Sequence, residues 1–227
     1  MKRTNYRLVW KWLGYAVLLL FCGLMLRIIL PYWSFQTNIG FLRIKQHYLH
    51  ITPWKVAFFI HALGAVLSLP AGFTQFSDSF RRKRTKWHRR LGKTYLLAVL
   101  GIGAPTGLIL AWYANGRLPS QIGFTLLAIL WFWFTWMAWK SIVYKEIKQH
   151  QNWMIRSYAL TLSAITLRLW KYVLANTLAP DPLLLYQVVT WLGFVPNLLV
   201  AEWLIRTSLF RKSKKKLNVV SSSRHQT

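Results

Sequence analysis

The sequence predicts an all-α integral membrane bundle of six transmembrane helices with both termini in the cytoplasm. Three observations predict it. Of 227 residues, 55% are hydrophobic and only 15% are charged. The apolar residues gather into six runs, each close to the roughly 20 residues that a spanning helix needs. The 30 Lys and Arg residues, against 4 Asp and Glu, lie almost wholly between those runs and at the chain ends. This much apolar surface excludes a disordered chain, and so little charge excludes an ordinary water-soluble surface. A net charge of +26 first suggests nucleic acid, but such a module needs a folded basic face outside apolar runs. The placement of the cations points instead to anionic lipid headgroups, with no nucleic-acid partner.

The first run, Val9–Leu30, follows Lys2, Arg3 and Arg7 and has Lys11 at its start. It is too long for a signal-peptide core and lacks a small-x-small cleavage site, so it reads as a retained helix. It holds Cys22, the only cysteine. A single thiol excludes an internal disulfide, a Cys-based zinc site and a CxxC redox pair. The other runs are Trp54–Phe76, Gly92–Ala114, Ile122–Val143, Ile155–Leu178 and Leu184–Thr207. Pro31, Pro53, Asn115-Gly116, Pro119, Pro180 and Pro182 punctuate the links. The aromatic string Trp131-Phe132-Trp133-Phe134-Thr135-Trp136 reads as a lipid- and helix-packing surface. No link reaches the ~50 residues of a small domain. Residues 1–210 therefore form one transmembrane domain. Residues 211–227 read as a basic, Ser-rich cytoplasmic tail expected to be disordered.

Orientation follows from the cations. Four lie at the N-terminus (Lys2, Arg3, Arg7 and Lys11), eight between Arg81 and Lys93, four between Lys140 and Arg156, and seven from Arg206 onward. The opposite side holds only Arg43, Lys45, Lys55, Arg117 and Lys171. The positive-inside rule then places both termini in the cytoplasm.

Polar residues within the runs recur at helical spacing. His61, Gly64, Ser68, Gly72 and Gln75 form one stripe; His88, Gly92, Tyr95, Gly103, Thr106 and Tyr113 form a second. His150, Trp153, Ser157, Thr161, Ala164 and Arg168 form a third, and Gln187, Thr190, Asn197 and Ala201 a weaker fourth. Small and hydroxyl residues pack helices closely without further role. Histidines and an arginine deep in a span ask for more, because buried guanidinium costs about 3 kcal/mol on insertion scales. Depth divides them into an inner cluster of His88, His150, Arg156 and Tyr95, joined by Gln75, and an outer cluster of His61, Arg168 and Thr106. Imidazoles at matched depth on two helices make His88 and His150 candidate ligands of a haem iron. Arg89, Arg90 and Arg156 are candidates to hold propionates or a quinone oxygen. Glu202, the one acid inside a run, has Arg206 one turn on and Arg156 as candidate partners, the first slightly favoured.

Several strings carry a resemblance together: Phe41-Leu42 with Lys45-Gln46, His61 with Gly64, Gly72 to Phe76, and His88-Arg89-Arg90-Leu91-Gly92 with Tyr95. His150 with Trp153-Met154-Ile155-Arg156-Ser157-Tyr158-Ala159-Leu160 adds to it, as do Thr166-Leu167-Arg168 and Pro196-Asn197-Leu198-Leu199-Val200-Ala201-Glu202. Over about Phe41 to Arg206 the chain resembles the bacterial membrane-protein family known as domain of unknown function 2306. The resemblance implies a multi-pass protein of the bacterial cytoplasmic membrane and no established activity. The chain is also distantly similar to transmembrane b-type cytochromes, which implies haem b between histidines of neighbouring helices. An outer haem would need a second histidine level with His61, and only His47 and His50 lie near, in a link.

Three functions follow as expectations: a redox membrane protein with haem or quinone on the His88/His150 face, a small-molecule or anion transporter built on Arg168, and a non-catalytic scaffold. Hydrolase chemistry is not indicated. The four acids are scattered and no HExxH string or nucleophile–His–acid arrangement is present.

Overall fold

The computed structural model describes residues 3–73 and 78–207, and among these residues the chain is helical with no strand. Gln75, the tail 211–227 and Lys2 lie outside the described residues. The chain divides into two compact units, Met1–Phe132 and Trp133–Thr227.

The first unit begins with α1 (Arg3–Ile29). A 3-10 turn, Leu30–Ser34, follows and carries Pro31 near its start, where the missing N–H costs nothing. A second 3-10 segment, Gly40–Tyr48, is kinked at Lys45 (φ −121°, ψ 17°). Gly40 has a positive φ of 48° and lies against the Tyr32 ring, so a side chain there would be strained and obstructed. The Tyr32 hydroxyl accepts a hydrogen bond from the Phe41 N–H at 2.7 Å. Tyr32, Leu42, Trp54 and Phe58 form the buried cluster beneath this segment.

Next come α2 (Thr52–Ala65), α3 (Ser68–Phe73), α4 (Asp78–Lys83) and α5 (Thr85–Leu96). A π-helical stretch, Leu97–Gly103, leads into α6 (Ala104–Trp112). Pro105 supplies a physical reason for the widened turn: it has no N–H to donate, and its ring crowds the carbonyl one turn back. α7 (Arg117–Val143) contains the boundary between the units.

The second unit holds the end of α7, then α8 (Ile147–Thr161), α9 (Ser163–Thr177), α10 (Pro182–Leu192) and α11 (195–207). The link from α7 to α8 is a tight helix stop. Lys145 takes φ 62°, and the Glu146 N–H bonds the Ser141 carbonyl at 2.8 Å, the long 6→1 bond of a Schellman cap. Asp181 caps α10, accepting from Leu183 N at 2.9 Å and Leu184 N at 3.1 Å, with Pro182 following it. Both features suit an N-terminus.

Five helical stretches among the described residues are long and apolar enough to cross a membrane: Trp12–Ser34, Thr52–Gly72, Thr85–Trp112, Arg117–Val143 and Pro182–Thr207. The expected run Ile155–Leu178 is not among them, because the chain breaks at Leu162 into two helices of 15 residues each. That break also interrupts the third polar stripe, which presumed one continuous helix.

Candidate functional site

In the first unit, α2 and α6 bring His61 and Thr106 together, with Nδ1 and Oγ1 2.9 Å apart. The Thr106 hydroxyl donates to the Ile102 carbonyl in the π-helical stretch at 2.6 Å. A hydroxyl has one hydrogen, so His61 Nδ1 is the donor of the pair and the lone pair of the neutral ring lies on Nε2. A β-carbon at Gly107 would make ordinary van der Waals contact, 3.5 Å from the imidazole Cε1 and 3.7 Å from the Ala128 methyl. π-Helical turns recur at functional sites, and this one supplies the carbonyl that orients the threonine.

His88 and Tyr95 lie seven residues apart on α5, on its inward side with Leu91 and Gly92. Tyr95 is fully buried and His88 is half-buried.

Lys45 is a residue whose role the sequence reading missed. In the sequence it stands as one of the outer cations and in the Lys45-Gln46 string, yet it is just 2% exposed. Its Nζ donates to the Tyr113 carbonyl at the end of α6. The ammonium lies 4.6 Å from the Tyr48 ring centroid and 5.9 Å from that of Phe41, within the range of cation–π attraction. No acid pairs with it among the described residues. Burial lowers its pKa from 10.5 to about 8. The signal for it is faint in sequence: Lys45 is one cation among aromatic neighbours in a link.

In the second unit the short cap at Lys145 returns α8 alongside α7 and sets His150 against Ala138. The His150 Nδ1 is 2.8 Å from the Ala138 carbonyl. A carbonyl only accepts, so Nδ1 carries the proton and Nε2 the lone pair. Burial holds the pKa of His150 below its ordinary value, and the carbonyl bond opposes that shift without reversing it. The ring is therefore neutral at pH 7. A ring N–H fixed by a carbonyl, with the opposite nitrogen unprotonated, is the arrangement of metal-ligating histidines.

Arg156 on α8 grips Glu202 on α11 through both Nε and Nη2, the second contact at 2.9 Å. The Trp153 ring lies 4.7 Å from the guanidinium carbon. This corrects the slight preference for Arg206. The planar fork of Arg156 meets both carboxylate oxygens, which gives a stronger contact than a single bond, while Arg206 remains exposed. It also engages the guanidinium that was a candidate for a propionate or quinone. Arg168 needs a correction too: its side chain is exposed rather than interior, and Nη1 donates to the Ala164 carbonyl of its own helix at 2.5 Å.

Two groups of polar contacts tie the second unit together. Thr135 and Ser157, both fully buried, share a hydrogen bond of 2.6 Å. Thr135 is the one hydroxyl in the aromatic string of α7. Asn197 Nδ2 reaches the Ala159 carbonyl at 3.1 Å, Thr166 Oγ1 at 3.0 Å and the Gly193 carbonyl at 3.2 Å. Thr166 in turn donates to Gly193 at 2.5 Å. These side chains serve backbone carbonyls beside the breaks at Leu162 and Gly193, where apolar surroundings offer no water. No group of three or more His, Cys, Asp or Glu residues that could hold a metal ion occurs among the described residues.

The family model described as "Predicted membrane protein (DUF2306)" matches residues 58–205, more than half of the chain. It begins inside α2 and so excludes the Phe41-Leu42 and Lys45-Gln46 strings. No curated protein and no solved structure matches the chain.

Proposed function

The chain belongs to the DUF2306 family of membrane proteins, and from that premise we propose that it is a haem-associated redox protein with His150 as an iron ligand. The observation that carries the reading is the 2.8 Å bond from His150 Nδ1 to the Ala138 carbonyl. It orients the ring and leaves the lone pair on Nε2, and burial keeps the proton off that nitrogen. The His150 N–H already serves Ala138 and is not available to a quinone oxygen, whereas Nε2 faces no such claim and suits iron. An anion transporter built on Arg168 is less well supported, since that guanidinium turns back to its own helix. When bound, haem supplies one-electron chemistry at its iron. The chain supplies the ligand and its tautomer.

Titration of the detergent-solubilised protein with haem tests this. Tryptophan fluorescence is expected to quench to saturation at about one haem per chain, and His150→Ala to abolish saturable quenching without lowering the thermal midpoint. Equal quenching in wild type and His150→Ala rejects the assignment.

We also read six spans, with the run Ile155–Leu178 as the fifth, and both termini on the cytoplasmic side of the bacterial inner membrane. The cation asymmetry supports this. In a Cys22→Ser background, an impermeant maleimide applied to intact cells is expected to label Asn115→Cys. Lys83→Cys is expected to react only after lysis. The reverse pattern overturns the orientation.

A further inference from the structure

We propose that the outward face of α5 is a binding site for the headgroup of an anionic phospholipid. On this helix Lys86, Arg89, Arg90 and Lys93 are all exposed. At 3.6 residues per turn they fall within an arc of about 100°, and Lys86 to Lys93 covers about 10 Å along the axis. The opposite side carries His88, Leu91, Gly92 and the fully buried Tyr95. The cations are therefore sorted onto one face rather than scattered round a solvated turn.

Two further features give that face its partner. Trp87 flanks the stripe, 51% exposed, and its ring centroid lies 5.5 Å from the Arg90 guanidinium carbon. An exposed indole beside a cation suits the region where acyl chains meet headgroups. The helix also continues without a link through Leu97–Gly103 into α6, as the apolar stretch Thr85–Trp112. The stripe thus stands at the boundary of a segment long enough to span the membrane. Arg82, Lys83 and Arg84 are exposed just before it, and no acid occurs between Asp78 and Glu146. Phosphate oxygens of a lipid are the chemical complement of such a stripe.

The test places the full chain in nanodiscs of phosphatidylcholine doped with phosphatidylglycerol or with cardiolipin, and counts the doped lipid retained after exchange into phosphatidylcholine. Wild type is expected to retain both anionic lipids. The triple variant Lys86→Gln, Arg90→Gln, Lys93→Gln is expected to lose about a hundredfold in retention affinity, from ~1 kcal/mol per cation. A control triple, Lys140→Gln, Lys145→Gln, Lys148→Gln, removes three other exposed cations and is expected to retain lipid as wild type does. Inorganic phosphate is expected not to compete. Equal losses in the two triples would reduce the effect to diffuse charge and overturn the site. Unchanged retention in the first triple, or displacement by free phosphate, would overturn it as well.

Discussion

Glu202→Gln is expected to lower the stability of the solubilised protein by about 2 kcal/mol, read as a fall in its unfolding midpoint. The substitution keeps size and shape but removes the charge that both Nε and Nη2 of Arg156 contact. An exposed ion pair would contribute under ~1 kcal/mol. Breaking a fully buried one costs roughly 3–5 kcal/mol, because the remaining charge has no partner. Arg156 and Glu202 are 20% and 36% exposed, so the loss falls between those limits. The double variant Arg156→Met with Glu202→Met removes both charges together and is expected within about 1 kcal/mol of wild type. If the single and double variants unfold alike, the pair does not organise α8 against α11.

Lys45→Met is expected to stabilise the protein at pH 7 by on the order of 3 kcal/mol. Lys45 has its pKa lowered from 10.5 to about 8 by burial; each unit corresponds to ~1.4 kcal/mol between protonation states. The sign follows from proton uptake. Between pH 8 and 10.5 the unfolded lysine holds its proton while the folded one has released it, so this group makes stability rise with pH. Its contribution is complete above 10.5 and is lost as pH falls through 8. The methionine variant lacks that dependence. The difference between the two proteins is therefore largest below pH 8 and closes toward pH 10.5, in thermal unfolding followed across that range. A variant less stable than wild type at pH 7 would mean that the Tyr113 carbonyl and the rings of Tyr48 and Phe41 more than offset the burial of the charge.

Much of the helical architecture is legible in the sequence because apolar length alone decides it. The stretches Thr52–Gly72, Thr85–Trp112, Arg117–Val143 and Pro182–Thr207 fall close to the expected runs. The pairing of His61 with Thr106 was also within reach, as both lie on small-residue stripes at matched depth. What the sequence conceals is the interruption of helices. Nothing in Leu162-Ser163 resembles Pro or Gly, yet α8 ends and α9 begins there, and Arg168 is exposed. Thr166 and Asn197 serve the backbone at that break and at Gly193, a role that periodicity does not reveal. Lys45 escaped for a related reason: its burial depends on a kinked 3-10 segment folding over Trp54 and meeting the end of α6. Glu202 had two candidate cations at suitable spacing, and only the packing of α8 with α11 decides for Arg156.

The most direct test of the central claim, that the oriented His150 ligates haem iron, is the absorption spectrum of the protein solubilised from haem-replete cells. The account predicts a Soret band in the wild type that is absent from His150→Ala prepared in the same way. A stable, colourless wild-type protein would contradict it.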